Sequence, residues 1–334
     1  MDEPFASDLA LDFEASEHWA PTDDGWELHL TRTVVPARFD PARRPVLIVP
    51  GYGMNGFIFG FHPSGMSLVL HLAHAGLEVW VANLRGQGAS RRRSPEAPCP
   101  SLRRYAENDL VAAVRSVLHE TKTRADRVDV LGASLGGSIA YAHMALEPSH
   151  RIGSLVAIGS PLRWLDVSAL LRLPFRSPRL ASHVRVSNTR RLAELALPVA
   201  TRLPVLLSLY LNAANVDLRA APEMIRTVED PHPRVNSDIA KWLAATDMIL
   251  RGVNVTESLR ACEQPLMLVV ANRDGIVPEA TALSARDAWG GDDVTVLRVG
   301  DRGRWYAHAD LFVGHHAREQ VFDPIARWLC DRGC

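Results

Sequence analysis

Six short apolar-rich runs, each followed by a longer helical pattern, constrain this chain more than any other feature. They are Val46-Leu47-Ile48-Val49, Val79-Trp80-Val81-Ala82, Val128-Asp129-Val130-Leu131, Leu155-Val156-Ala157-Ile158, Leu266-Met267-Leu268-Val269-Val270 and Val294-Thr295-Val296-Leu297. Strand-length runs that alternate with helices specify an α/β fold around an open, mainly parallel sheet. Helical patterns over Met66–Ala75, Leu102–Thr121, Gly137–Leu146, Pro278–Trp289 and Ala317–Leu329 are long enough for crossovers or sheet-covering helices. Upstream, Asp23-Asp24-Gly25 separates Glu17-His18-Trp19 from Trp26–Arg32, and a D-G step between such runs signals a hairpin. Its two antiparallel edge strands bring the expected sheet to about eight strands.

One interval breaks the rhythm. About 100 residues, 161–264, separate the fourth run from the fifth and read as proline-broken, leucine-rich helices: Ala169-Leu170-Leu171, Leu203–Leu211 and an amphipathic Ile239–Leu250. The simplest organisation is a core of residues 1–160 and 265–334 with a helical cap, 161–264, inserted into it. A length of 334 residues with 47% apolar content suits one large domain carrying such an insertion. The apolar stretch Leu195–Val216 approaches bilayer length, but Arg202, Pro198 and Pro204 interrupt it, so no transmembrane span is expected.

Charge names no partner. Thirty-seven basic against thirty-eight acidic residues leave a net charge of −1, which offers no global field for nucleic acid or an anionic membrane. Lys122 and Lys241 are the two lysines; the rest of the cations are arginines, which fits a GC-rich, bacterial genome. Cys99, Cys262, Cys330 and Cys334 lack C-x-x-C spacing, arguing against zinc and for a reducing compartment. Met1-Asp2-Glu3-Pro4 is acidic and precedes no apolar signal region, so the expected location is cytoplasmic. No phosphate loop, dinucleotide fingerprint or metal-ligand cluster is present, and neither a cofactor nor a metal is expected.

Gly132-Ala133-Ser134-Leu135-Gly136-Gly137 carries the sharpest chemical signal, because this G-x-S-x-G follows a predicted strand and opens a predicted helix. Small residues let a strained turn lift the Ser134 hydroxyl clear of the sheet; the competing reading is a glycine-rich turn with a capping serine. A serine needs a base and a group that orients the base. Asp274, just past the Leu266–Val270 run, stands where open α/β sheets place ligands, although it also suits a turn before Pro278. Asp292 and Asp293 precede a strand and compete less well. His308 follows the last strand and is the candidate base, ahead of His315 and His316. An oxyanion would need two backbone N–H groups. The expected donors are Leu135, next to the nucleophile, and Tyr52 in Pro50-Gly51-Tyr52-Gly53-Met54-Asn55, with Gly53 as the alternative.

Taken together these residues resemble the α/β-hydrolase fold superfamily across nearly the whole chain outside the cap. Thr22-Asp23-Asp24-Gly25-Trp26-Glu27-Leu28 is similar to the T-x-D-G-aromatic-x-L hairpin of acid lipases. Asn83-Leu84-Arg85-Gly86 with Ser90 resembles their N-x-R-G-x-x-x-S turn, and His308-Ala309-Asp310-Leu311-Phe312-Val313-Gly314 their H-x-D-F-x-x-G. A weaker likeness runs to polyhydroxyalkanoate synthases, which use a cysteine where Ser134 stands. The chain departs from acid lipases at Ala133 and Pro50, where they carry histidine. The resemblance implies Ser134 as nucleophile, Asp274 as acid and His308 as base.

The function expected from the sequence is a serine hydrolase of carboxylic esters, with a small-molecule or lipid-like substrate whose acyl group is apolar. Acyl transfer or thioester cleavage by the same three residues is the alternative, and a catalytically inactive binding protein is the third reading. Transient contact with a lipid interface is compatible with the leucine-rich cap.

Overall fold

The computed structural model describes residues 12–183, 187–200 and 207–332. Met1–Pro4, the first part of the Leu203–Leu211 run and Cys334 lie outside the described residues. In chain order the strands are β1 (Glu14–Pro21), β2 (Trp26–Val34), β3 (Val46–Val49), β4 (Val79–Ala82), β5 (Arg91–Arg92), β6 (Val128–Ala133), β7 (Ile152–Ile158), β8 (Ile249–Leu250), β9 (Val253–Asn254), β10 (Leu266–Ala271) and β11 (Val294–Val299).

The main sheet runs β1-β2-β4-β3-β6-β7-β10-β11, with the two-residue β5 beside β2. From β4 to β11 every neighbouring pair is parallel; β1 and β2 are antiparallel, as are β2 and β4. The fold is therefore α/β with a mostly parallel sheet flanked by helices. Successive strand residues point to opposite faces, and the packing follows. Leu47, Val49, Trp80, Leu266, Leu268 and Val270 enter one buried cluster. Val46, Ile48, Val79, Met267, Val269 and Ala271 enter another. These strands have two apolar faces because helices cover both.

Local chemistry explains the edges of these elements. Gly25 takes φ 92° in the β1–β2 turn, where the Thr22 hydroxyl accepts from Trp26 N at 2.9 Å. Ser67 caps the helix Leu68–His74 by accepting from Leu70 N. The expected Leu102–Thr121 helix is interrupted by a π-helical turn at Tyr105–Asp109 before it continues as Leu110–Glu120. Buried Asp109, at the end of that turn, bonds Arg85, whose guanidinium also forks onto Asp24 at 2.9 Å for both contacts.

Two further helical patterns differ from expectation. Of the Ile239–Leu250 pattern only Ile239–Ala245 is helical, in a helix that spans Pro233–Ala245: Pro233 sits at its first turn, the His232 ring accepts from Arg234 N, and Thr246 at φ 65° ends it. Ile249 and Leu250 instead form β8. The Pro278–Trp289 pattern is realised as two short turns, Glu279–Ala282 and Leu283–Ala285. Between β7 and β10 the described elements are otherwise mainly helical, including Ala169–Arg172, Pro178–His183 and Thr189–Ala200. Met248, Leu250, Val255 and Leu259, near the end of that stretch, share the buried cluster of the sheet residues Leu155 and Leu266. No helix among the described residues is long and apolar enough to cross a membrane.

Candidate active site

Ser134 forms the hinge between β6 and the helix Leu135–Leu146, with φ 52° and ψ −120°. A non-glycine residue in that region stores on the order of 1–3 kcal/mol of strain, so its surroundings must impose it. They do so sterically. A Cβ on Gly132 would lie 2.3 Å from Gly137 Cα, and one on Gly136 would lie 2.1 Å from the Val49 carbonyl oxygen. The glycines of the motif are thus the condition for β6, its helix and the end of β3 to meet. Ser134 N donates to Ile158 O at 2.8 Å, which ties the turn to the end of β7.

Asp274 and His308 arrive from the ends of β10 and β11. His308 Nδ1 lies 2.6 Å from Asp274 Oδ2, and both residues are buried. The other carboxylate oxygen, Oδ1, accepts from Ile276 N and Val277 N at 2.8 Å each. These two bonds orient the carboxylate; with Nδ1 donating to Oδ2, Nε2 is left as the basic nitrogen. Gly159 joins the pair to the serine. It directly follows Ile158, and a Cβ there would lie 3.0 Å from His308 Cε1 and 3.4 Å from Asp274 Oδ2. Ser134, Asp274 and His308 therefore gather around the carboxyl end of β7.

Asp310 braces the histidine loop. Its buried carboxylate accepts from Ala307 N and Asn212 N, both at 2.9 Å, while Ala309 N donates to Tyr210 O at 2.8 Å. Burial pushes the Asp310 carboxyl up to about 6, against the lowering effect of those N–H donors. The competing residues go elsewhere: Asp293 pairs with Arg332, and the His315 ring faces Ser64.

The loop after β3 abuts the nucleophile, since a Cβ on Gly51 would fall 3.1 Å from Ser134 Cβ. Among the described residues neither Tyr52 N nor Leu135 N donates a hydrogen bond. The Tyr52 hydroxyl donates to Asn236 Oδ1 at 2.7 Å, and burial raises that phenol to about 12, so it stays a neutral donor. Beneath the loop, Gln87 Nε2 donates to Gly51 O at 3.3 Å while Gln87 Oε1 accepts from Leu84 N. Ser134 and Tyr52 open onto a cleft walled by Trp164, Phe175, Ile239 and Trp242.

Sequence reasoning missed Gly159, Gln87 and the aromatic walls. Gln87 had a signal, its place two residues past Arg85 in the Asn83–Gly88 turn; the wall residues had none, because they meet only through tertiary packing. Among the described residues no group of three or more His, Cys, Asp or Glu side chains could hold a metal ion.

A strained serine between a parallel strand and its helix, with a buried His–Asp pair supplied by later strands, defines the α/β-hydrolase class. The chain belongs to the alpha/beta hydrolase fold family, which it matches over residues 44–306. A curated relative, triacylglycerol lipase 2 of Arabidopsis thaliana, is 29% identical over 140 residues, 39% of this chain. That match spans about a third (33%) of the lipase's own length. Similar solved structures include a thermophilic esterase from Thermogutta terrifontis (TM-score 0.62, 19% identity, covering 96% of this chain and 100% of that one). A monoacylglycerol lipase from Paleococcus ferrophilus gives a TM-score of 0.59 at 16% identity, covering 91% and 99%. At such identities the likeness is one of fold.

Proposed function

We propose that the protein is a serine hydrolase of carboxylic esters with apolar acyl groups. Ser134 attacks the carbonyl, His308 accepts its proton and returns it to the leaving alcohol, and Asp274 holds the imidazole tautomer. The Tyr52 and Leu135 N–H groups receive the developing oxyanion, and water then resolves the acyl-serine. The single observation that carries this reading is the 2.6 Å His308–Asp274 bond beside the strained Ser134 turn. The esterases and lipases among the similar proteins support it. The helical insertion 161–264 acts as the cap, and Trp164, Phe175, Ile239 and Trp242 in the cleft favour an apolar acyl chain over a charged one.

The test is hydrolysis of p-nitrophenyl esters from C2 to C16 by wild type and Ser134→Ala. Activity confined to the wild type supports the mechanism, and the chain-length optimum sizes the cleft. Equal rates for the two proteins would sink it.

A further inference from the structure

Glu229 stands where three separate parts of the molecule meet. Its Oε1 accepts from Asn55 Nδ2 at 2.6 Å and from Gly88 N at 3.2 Å, and Arg190 Nη2 lies 3.4 Å away. The first partner follows the oxyanion loop, the second belongs to the Asn83–Gly88 turn, and the third lies on the helix Thr189–Ala200. The backbone around Glu229 adds a strap. Glu229 N donates to Gly53 O and Asn55 N donates to Thr227 O, both at 2.8 Å. Met54 and Val228 form an antiparallel bridge, and the Thr227 hydroxyl donates to Asn55 O at 3.1 Å.

Tyr52 is thereby bracketed. Gln87 holds the carbonyl of Gly51 on one side, and residues 227–229 hold Gly53–Asn55 on the other. An oxyanion donor works only within about 2.7–3.1 Å of where charge develops, and a displacement of about 1 Å can cost on the order of 100-fold in rate. Within this bracket Glu229 is the carboxylate, and bonds to an ionised acceptor are stronger than neutral ones. It is also the side chain that reaches the loop, the turn and the insertion at once.

We infer that Glu229 is a positioning residue that fixes the Tyr52 N–H for the oxyanion and couples the inserted helices to the chemical step. The inference rests on the ester-hydrolase reading. Glu229 itself touches no reacting atom; it acts through Asn55 and the loop. Glu229→Ala frees Gly88 N and leaves Asn55 Nδ2 only its bond to Arg226 O at 3.0 Å. Glu229→Gln keeps an oxygen that accepts from both. Asn55→Asp keeps the Oδ1 that caps Phe57 N at 2.9 Å but sets a carboxylate oxygen against both Glu229 and the Arg226 carbonyl. Combined with Glu229→Gln, the new carboxylate at position 55 accepts from the new amide, so the contact with position 229 is restored with its direction reversed while that with Arg226 O stays lost.

The experiment measures kcat and KM on one p-nitrophenyl ester for these four variants, with Ser134→Ala and thermal melting in parallel. Expected are a fall in kcat of about 10- to 100-fold for Glu229→Ala with KM within about threefold. Glu229→Gln stays within about threefold of wild type, Asn55→Asp loses at least as much as Glu229→Ala, and the double variant recovers part of that loss. Three results overturn the inference: Glu229→Ala folded with unchanged kcat, Glu229→Gln as impaired as Glu229→Ala, or a double variant no better than Asn55→Asp. If Glu229→Ala does not fold, the reversal at positions 55 and 229 decides alone. Activity that survives Ser134→Ala would instead overturn the hydrolase reading, which separates the two failures.

Discussion

The Ser134 turn and the Tyr52 loop press against each other, yet they are specified in opposite ways. The turn is set by its own glycines, whose missing side chains admit Val49 O and the next stretch of helix. The loop is held from outside: its partners Glu229 and Asn236 lie 174 residues from Asn55 and 184 from Tyr52 in sequence. Half of the site is therefore built where strands end, and half is assembled by residues that lie far along the chain between β7 and β10. The division suggests that the sheet side carries the chemistry while the insertion carries selectivity and alignment.

The strongest attack on that division is Asp274→Asn. The substitution leaves the shape intact, but its amide cannot hold His308 in the required tautomer, and a fall in kcat of about 10⁴-fold is expected on every ester regardless of acyl length. A loss that varied with chain length would blur the two halves. Next comes Arg85→Ala, beneath the site on the sheet side. Arg85 is fully buried between Asp24 and Asp109, and removing one member of such a network costs about 3–5 kcal/mol because a carboxylate is left buried without its partner. Urea unfolding should show that loss; a change under about 1 kcal/mol would mean that water replaces the guanidinium.

Phe175→Ala probes the insertion side. The ring packs edge-on to Tyr52 at 6.2 Å between centroids and walls the cleft. Its removal should lower kcat/KM for long acyl esters relative to short ones by about 10-fold, the scale of one or two methylene contacts, while acetate esters change little. A uniform drop across the series would place Phe175 with the alignment machinery instead of the pocket.

The same division explains what could be read from the sequence. The buried strands needed no context, because unbroken apolar runs between turn signals leave few alternatives, and β3 and β4 begin and end where the runs do. Asp274 and His308 were legible because a parallel sheet brings strand ends to one edge, so order along the chain stands in for proximity. The helix at Pro233–Ala245 was misplaced because its apolar stripe was weighed above its start and stop; Pro233 and the left-handed Thr246 set its limits. Glu229 and Asn236 were invisible for a different reason. Their contacts to the loop after β3 come from 174 and 184 residues away, and one polar residue has no period to betray it.

The smallest effect tests whether Asp310, which joins the two sides by accepting from both Ala307 and Asn212, is held as a buried carboxyl. Its folded-state value of about 6 exceeds the ordinary 3.8. Between about pH 4 and 6 the folded protein therefore keeps a proton that the unfolded chain has released. Folding stability contributed by this group must fall as pH rises through that window and level off above it. Asp109 is also raised to about 6 by burial, so the slope of wild type alone would not identify Asp310. The difference between wild type and Asp310→Asn does, because Asp109 is common to both and cancels. Urea unfolding at pH 4.5, 5.5 and 6.5 should show the stability gap between the two proteins shrinking as pH rises. Parallel curves would mean that the N–H donors outweigh burial, and that the loop carrying His308 is braced by an ordinary ionised carboxylate.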